Sequence, residues 1–103
     1  MDKIAMLSGI LADHPTDAFT RYGLAMAYAA EDRPNEALRE FATTTQHNPD
    51  YVPAYQMSAQ TLLKLGRTDD ARQRLEAGLE AAARTHNEHA ASEMQAMLDD
   101  LSL

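Results

Sequence analysis

The sequence predicts an all-α fold: an α-α superhelix (solenoid) of stacked antiparallel helix pairs with a C-terminal capping helix. Three observations carry this. The 103-residue chain holds only four glycines and four prolines, too few turn residues for an all-β domain. Alanine, leucine, glutamate and methionine, the strong helix formers, dominate it. Residue size and polarity also recur at a spacing of 34 residues, the mark of stacked units. Pro15 and Pro49 are so spaced, as are Leu7, Phe41 and Leu75, then Ile10, Thr44 and Gly78, and finally Tyr28 and Leu62. Overlaying residues 18–51 on 52–85 leaves three identities: Ala25/Ala59, Arg33/Arg67 and Ala37/Ala71. What repeats is size and polarity, as nearest-neighbour stacking requires.

The elements follow in order. Residues 1–15 read as a half repeat, one helix carrying Ile4, Leu7 and Leu11. Residues 17–50 form the first full unit. Its first helix spans Asp17 to Glu31, with Thr16 as cap and Asp17 favouring the first turn. The turn from Glu31 to Asn35 follows, with Pro34 placed to start the next helix. That helix carries Ala37, Leu38, Phe41, Thr44 and Thr45 on one face and ends near Asn48-Pro49. Residues 51–85 repeat the plan: a helix from Pro53 to Leu65, a turn at Gly66-Arg67-Thr68, and a helix from Asp69.

Leu24-Ala25-x-x-Tyr28, Ala37-x-x-x-Phe41 and Pro49 resemble the tetratricopeptide repeat (TPR), whose 34-residue unit carries Leu-Gly-x-x-Tyr, Ala-x-x-x-Phe and Pro. Ser58-Ala59-x-x-Leu62, Ala71-x-x-x-Leu75 and Gly78 resemble a second copy, and Leu7, Ile10 and Pro15 the end of a preceding one. The resemblance covers residues 4–85. Two departures stand out. The family's bulky residue near the start of the first helix is Tyr55 in the second copy but Arg21 in the first. Ala83 replaces the second closing proline, so that helix is expected to run toward Thr85, with a break at His86-Asn87. Residues 88–101 then form the capping helix, with Ala91, Met94, Leu98 and Leu101 at helical spacing.

The resemblance implies a concave groove lined by the first helix of each pair. Phe19, Tyr22, Met26 and Ala29 form one line along the first copy's helix. Their counterparts are Pro53, Gln56, Gln60 and Leu63, with Lys64 beside them. Such a groove suits a peptide or an amphipathic helix of another protein. Alternatively, Phe19 and Tyr22 pack against the N-terminal half repeat. TPR members that clamp a C-terminal carboxylate do so with cationic or amide side chains. The matching positions here hold Tyr22, Met26 and Met57, so that subtype is not expected.

The other function classes find little support. Sixteen carboxylates against nine Lys and Arg give a net charge of −7, unfavourable for nucleic acid or anionic lipid. No apolar run is long enough to span a membrane. Cysteine is absent, so a cytoplasmic location is the expectation. Catalytic and cofactor motifs are missing, and neither an enzyme nor a cofactor is expected. His86, His89 and Glu93 fall at i, i+3 and i+7, but His86 sits in the expected break, so no metal site is assigned. The candidate self-association edge is Ile4, Leu7 and Leu11, which lack a covering helix on one side and offer a homodimer contact.

Overall fold

The computed structural model describes residues 2–103 and places six helices there: α1 (Lys3–Asp13), α2 (Ala18–Ala30), α3 (Pro34–His47), α4 (Val52–Lys64), α5 (Thr68–Arg84) and α6 (Glu88–Leu101). No strand occurs among the described residues. Each helix packs on the next, and α4 also reaches α6, giving an all-α repeat superhelix of 43 × 29 × 18 Å. The pairs are α2–α3 and α4–α5, with α1 preceding them and α6 covering the end.

The three identities between the copies all have structural work. Ala25, Ala37, Ala59 and Ala71 are fully buried, which lets the paired helices approach closely. Arg33 and Arg67 sit at equivalent turns. Each forms an ion pair with the acid three residues on, Glu36 and Asp70 respectively. Each also donates its backbone N–H five residues back, to Tyr28 O and Leu62 O, both at 2.9 Å.

Those bonds belong to one turn design used three times. Asp32, Gly66 and His86 have φ of 59°, 75° and 56°, the left-handed conformation that ends a helix in a Schellman motif. Asn87 N–H reaches Ala82 O at 2.8 Å in the third. The turns between pairs follow a different design. Asp17 N–H bonds to His14 O and Tyr51 N–H to Asn48 O, each at 3.1 Å, closing β-turns around Pro15 and Pro49. With Ala83 in place of a third proline, α5 runs on to Arg84 and extends to 17 residues.

One cap differs from expectation. Asp17, not Thr16, is the N-cap of α2, its Oδ1 accepting from Thr20 N–H at 3.4 Å and its Oδ2 from Thr20 Oγ1 at 3.0 Å. A carboxylate satisfies an orphan amide and complements the helix dipole at once, whereas a hydroxyl does only the first.

The core has two clusters. Phe41 centres one with Ala25, Ala37 and Ala54. Leu75, Tyr55, Leu62 and Met94 build the other, which α6 completes by inserting Met94. Gly78 admits that insertion: a Cβ there would stand 2.5 Å from Met94 Sδ and 2.8 Å from Tyr55 Cβ.

Candidate functional site

Among the residues expected to line the groove, exposure varies sharply along α2. Phe19 is 75% exposed. Tyr22, Met26 and Ala29 are half-buried and pack against the Phe41 cluster. The Tyr22 ring lies 5.9 Å from Phe41 and 5.4 Å from Tyr51, both tilted. Tyr22 therefore packs toward α3 and the turn before α4. Tilted rings at these separations interact favourably edge to face. Burial pushes the Tyr22 and Tyr51 phenols above their usual range, with Tyr22 and Asp17 adding to the effect on Tyr51.

On α4, Gln56, Gln60 and Leu63 are half-buried, while Pro53 and Lys64 are exposed. Tyr51, not singled out in the sequence, joins the apolar side together with Met57, both packed on the Phe41 cluster as Tyr22 and Met26 are. Tyr51 lies in the turn before α4, so helical periodicity does not pick it out. Its signal is the Pro49 spacing, which fixes the residue two on beside the next helix.

The half repeat requires a correction. Leu11 is 7% exposed, so it is core and does not belong to an open edge. Leu7 is half-buried, its Cδ1 3.8 Å from where a Cβ on Gly23 of α2 would stand, and Ile4 is half-buried too. The apolar side chains that α1 leaves open are Met6 at 45% and Ile10 at 41% exposure. Ile10 is the counterpart of Thr44 and Gly78, both of which are buried.

The bulky position resolves into a shared job. Arg21 Nη2 donates to Pro15 O at 2.9 Å, and Tyr55 Oη donates to Pro49 O at 2.8 Å. Dissimilar side chains thus satisfy equivalent carbonyls. Arg21 Nη1 also pairs with Glu40 Oε1 at 2.6 Å, while the Arg74 guanidinium stacks 4.7 Å from the Tyr55 ring centroid. The same two positions carry an ion pair in one copy and a cation–π contact in the other.

The histidines do not converge. His86 occupies a left-handed turn, and His89, largely exposed, lies 3.4 Å from Glu93. Among the described residues no three potential metal ligands gather. No helix there is long and apolar enough to cross a membrane.

Comparison with known proteins matches the tetratricopeptide repeat over residues 4–58 and 29–98. No curated protein is significantly similar to the chain. Among solved structures, a tetratricopeptide repeat domain protein from Salinibacter ruber is 33% identical, with 84% of this chain and 88% of that one covered and a TM-score of 0.80. PcrH from Pseudomonas aeruginosa, solved with the chaperone-binding region of PopD, is 19% identical over 96% of this chain and 75% of its own, TM-score 0.89. The TPR2B domain of yeast Sti1 in its pHsp70 complex is 21% identical over 96% and 79%, TM-score 0.88. With the 34-residue period carried through turns, caps and carbonyl contacts alike, and the family match running across both full units, the chain belongs to the tetratricopeptide repeat family.

Proposed function

We propose that the chain is a protein–protein interaction module that seats an apolar peptide or one face of an amphipathic helix against α2 and α4. The observation that carries this is Phe19, exposed at the end of a line continued by Tyr22 and Met26 and flanked by Tyr51 and Met57. A phenylalanine left 75% open beside half-buried aromatic and thioether side chains offers adaptable apolar area with hydroxyls for orientation. Support comes from the fold neighbours PcrH and Sti1 TPR2B, each solved with a partner segment. Tyr22, Met26 and Met57 supply no cation for a terminal carboxylate, so the anchor on the partner is apolar. Gln56, Gln60 and Lys64 extend the face toward a polar end.

The test is selection of a displayed random-peptide library on the protein, followed by affinity measurement on the enriched peptides. Tyr22→Ala with Met26→Ala is expected to weaken these peptides at least tenfold while circular dichroism keeps its helical amplitude. Enriched peptides that bind the double variant as tightly as the unaltered protein would place the site elsewhere.

The exposed Met6 and Ile10 on α1 favour a second reading, in which two copies associate through that helix. The two roles are compatible, because they draw on different residues, Met6 and Ile10 on α1 and the Phe19 line on α2.

A further inference from the structure

Away from the Phe19 line, a cavity of about 240 Å³ lies between α3, α4 and α5. Leu38 and Leu62 wall it, and Ser58, Gln73 and Arg74 bring polar groups to it. Its origin is legible in the repeat. Ser58 stands where the first copy has Leu24, so the second copy is short by most of a leucine side chain. Leu24 is buried in core, whereas Ser58, 3% exposed, puts a hydroxyl at the cavity wall.

Of the seven arginines, Arg39, Arg72 and Arg74 form no ion pair among the described residues, and of these three Arg74 is the one that stacks on an aromatic ring. Arg21, Arg33, Arg67 and Arg84 each have a carboxylate partner. Arg74 instead donates from Nη2 to Thr45 Oγ1 at 3.0 Å and stacks on Tyr55, with no carboxylate in ion-pair range among the described residues. Its counterpart in the first copy is Glu40, and exchanging acid for base there left a cation with an aromatic ring where the counter-charge was. Burial draws its pKa down, the sign of a guanidinium removed from water without full compensation. Arg74 lines the cavity, and the partners of its guanidinium, Thr45 and Tyr55, lie about one turn from the lining residues Ala42 and Ser58. Among the described residues that line the cavity, the other charged ones, Arg67 and Asp70, pair with each other at 2.8 Å.

A cavity of this size falls below the roughly 300 Å³ at which drug-sized ligands begin. It suits a few heavy atoms: an anionic head for the guanidinium, hydroxyl and amide, and a methylene or two against the leucines. We propose that the cavity takes a small aliphatic carboxylate, held by Arg74 with Ser58 and Gln73. The carboxylate comes either from a free short-chain acid or from an aspartate or glutamate side chain of a docking protein.

Nitrogen-15 spectra of the whole chain test this, following the Arg74 Nε–Hε and Ser58 backbone resonances. The titrants are sodium acetate, sodium glutarate, and a capped hexapeptide with a single glutamate, against sodium chloride and the matching glutamine peptide. Saturable shifts with a carboxylate and none with its control are expected, at least tenfold weaker in Ser58→Leu and in Arg74→Gln. Ser58→Leu fills the cavity with the side chain the first copy already carries. Arg74→Gln removes the charge while leaving the cavity, and the helical amplitude of both variants is checked. Saturation by the free acids alone identifies a small-molecule ligand, and saturation by the glutamate peptide identifies a partner side chain. Carboxylates that shift no more than their controls, or undiminished binding in both folded variants, overturn the proposal.

Discussion

Asp32 and His86 hold the left-handed backbone that Gly66 holds without a Cβ. That conformation costs a non-glycine residue roughly 1–2 kcal/mol, less for a short polar side chain. Asp32→Gly is therefore expected to raise stability by about 0.5–1 kcal/mol, since the relief exceeds the entropy glycine adds to the unfolded chain. Gly66→Ala is expected to lower it by a similar amount through the backbone alone, because nothing lies within 4 Å of the added Cβ. Chemical denaturation midpoints of the two variants measure both shifts, and movement in the same direction would contradict this account. The turn at Gly66 was legible from residue type, and the one at His86-Asn87 only as a break left by the replacement of a proline by Ala83. Asp32 was legible only as part of a turn, since aspartate does not signal positive φ as glycine does.

Between elements, the bond that fastens α2 to α3 is the half-buried Arg21–Glu40 pair, its side chains 16% and 19% exposed. Arg21 is tied at both ends, to Glu40 and to the Pro15 carbonyl, yet its Nε is sealed without a partner. Removing one member strands the other, so Arg21→Ala and Glu40→Ala are each expected to cost about 1–3 kcal/mol. The double variant should cost less than their sum, giving a coupling of about 1 kcal/mol in a double-mutant cycle by urea denaturation. A coupling near zero would reduce the pair to an incidental contact. This pairing was hidden in the sequence. Arg21 and Glu40 are separated by 19 residues, as are Tyr55 and Arg74, and neither helix alone shows which polar residue faces its neighbour. Helix bounds, by contrast, followed from the proline and alanine spacing. Leu11 was misplaced for the same reason that Arg21 looked anomalous: periodicity tells which residues share a face but not which helix covers it.

Across the whole molecule the two ends differ in kind. The covering helix α6 leaves Glu93, Asp99 and Asp100 exposed, whereas α1 leaves Met6 and Ile10. Self-association, in the second reading, belongs to the apolar end, because charge at the other repels a like copy. That reading expects light scattering to give a mass rising above 11.4 kDa with concentration, and Ile10→Glu to hold it at the monomer value. Leu11→Glu is unsuitable as the probe, since a charge at a position 7% exposed would disturb the fold itself. A mass that stays monomeric at every concentration removes α1 as an assembly surface and leaves the Phe19 line as the external contact. The chemistry of that line was half legible. Tyr22 and Met26 came from their spacing, while Tyr51 and Met57 joined them through packing across two helices.

The carbonyls at the two proline joints are held unequally. Pro15 O is gripped by Arg21, but Pro49 O accepts from Tyr55 at 2.8 Å and from Arg84 at 3.0 Å, with Arg84 also bound to Asp50. Viewed as a spring, the molecule has a stiff coil between its two full units and a softer one before them. A guest that forces the curvature to change therefore bends the joint at Pro15 first, and the elastic strain collects at the α1 end. Under the proposed binding mode, the spacing between α2 and α4 is kept under that load.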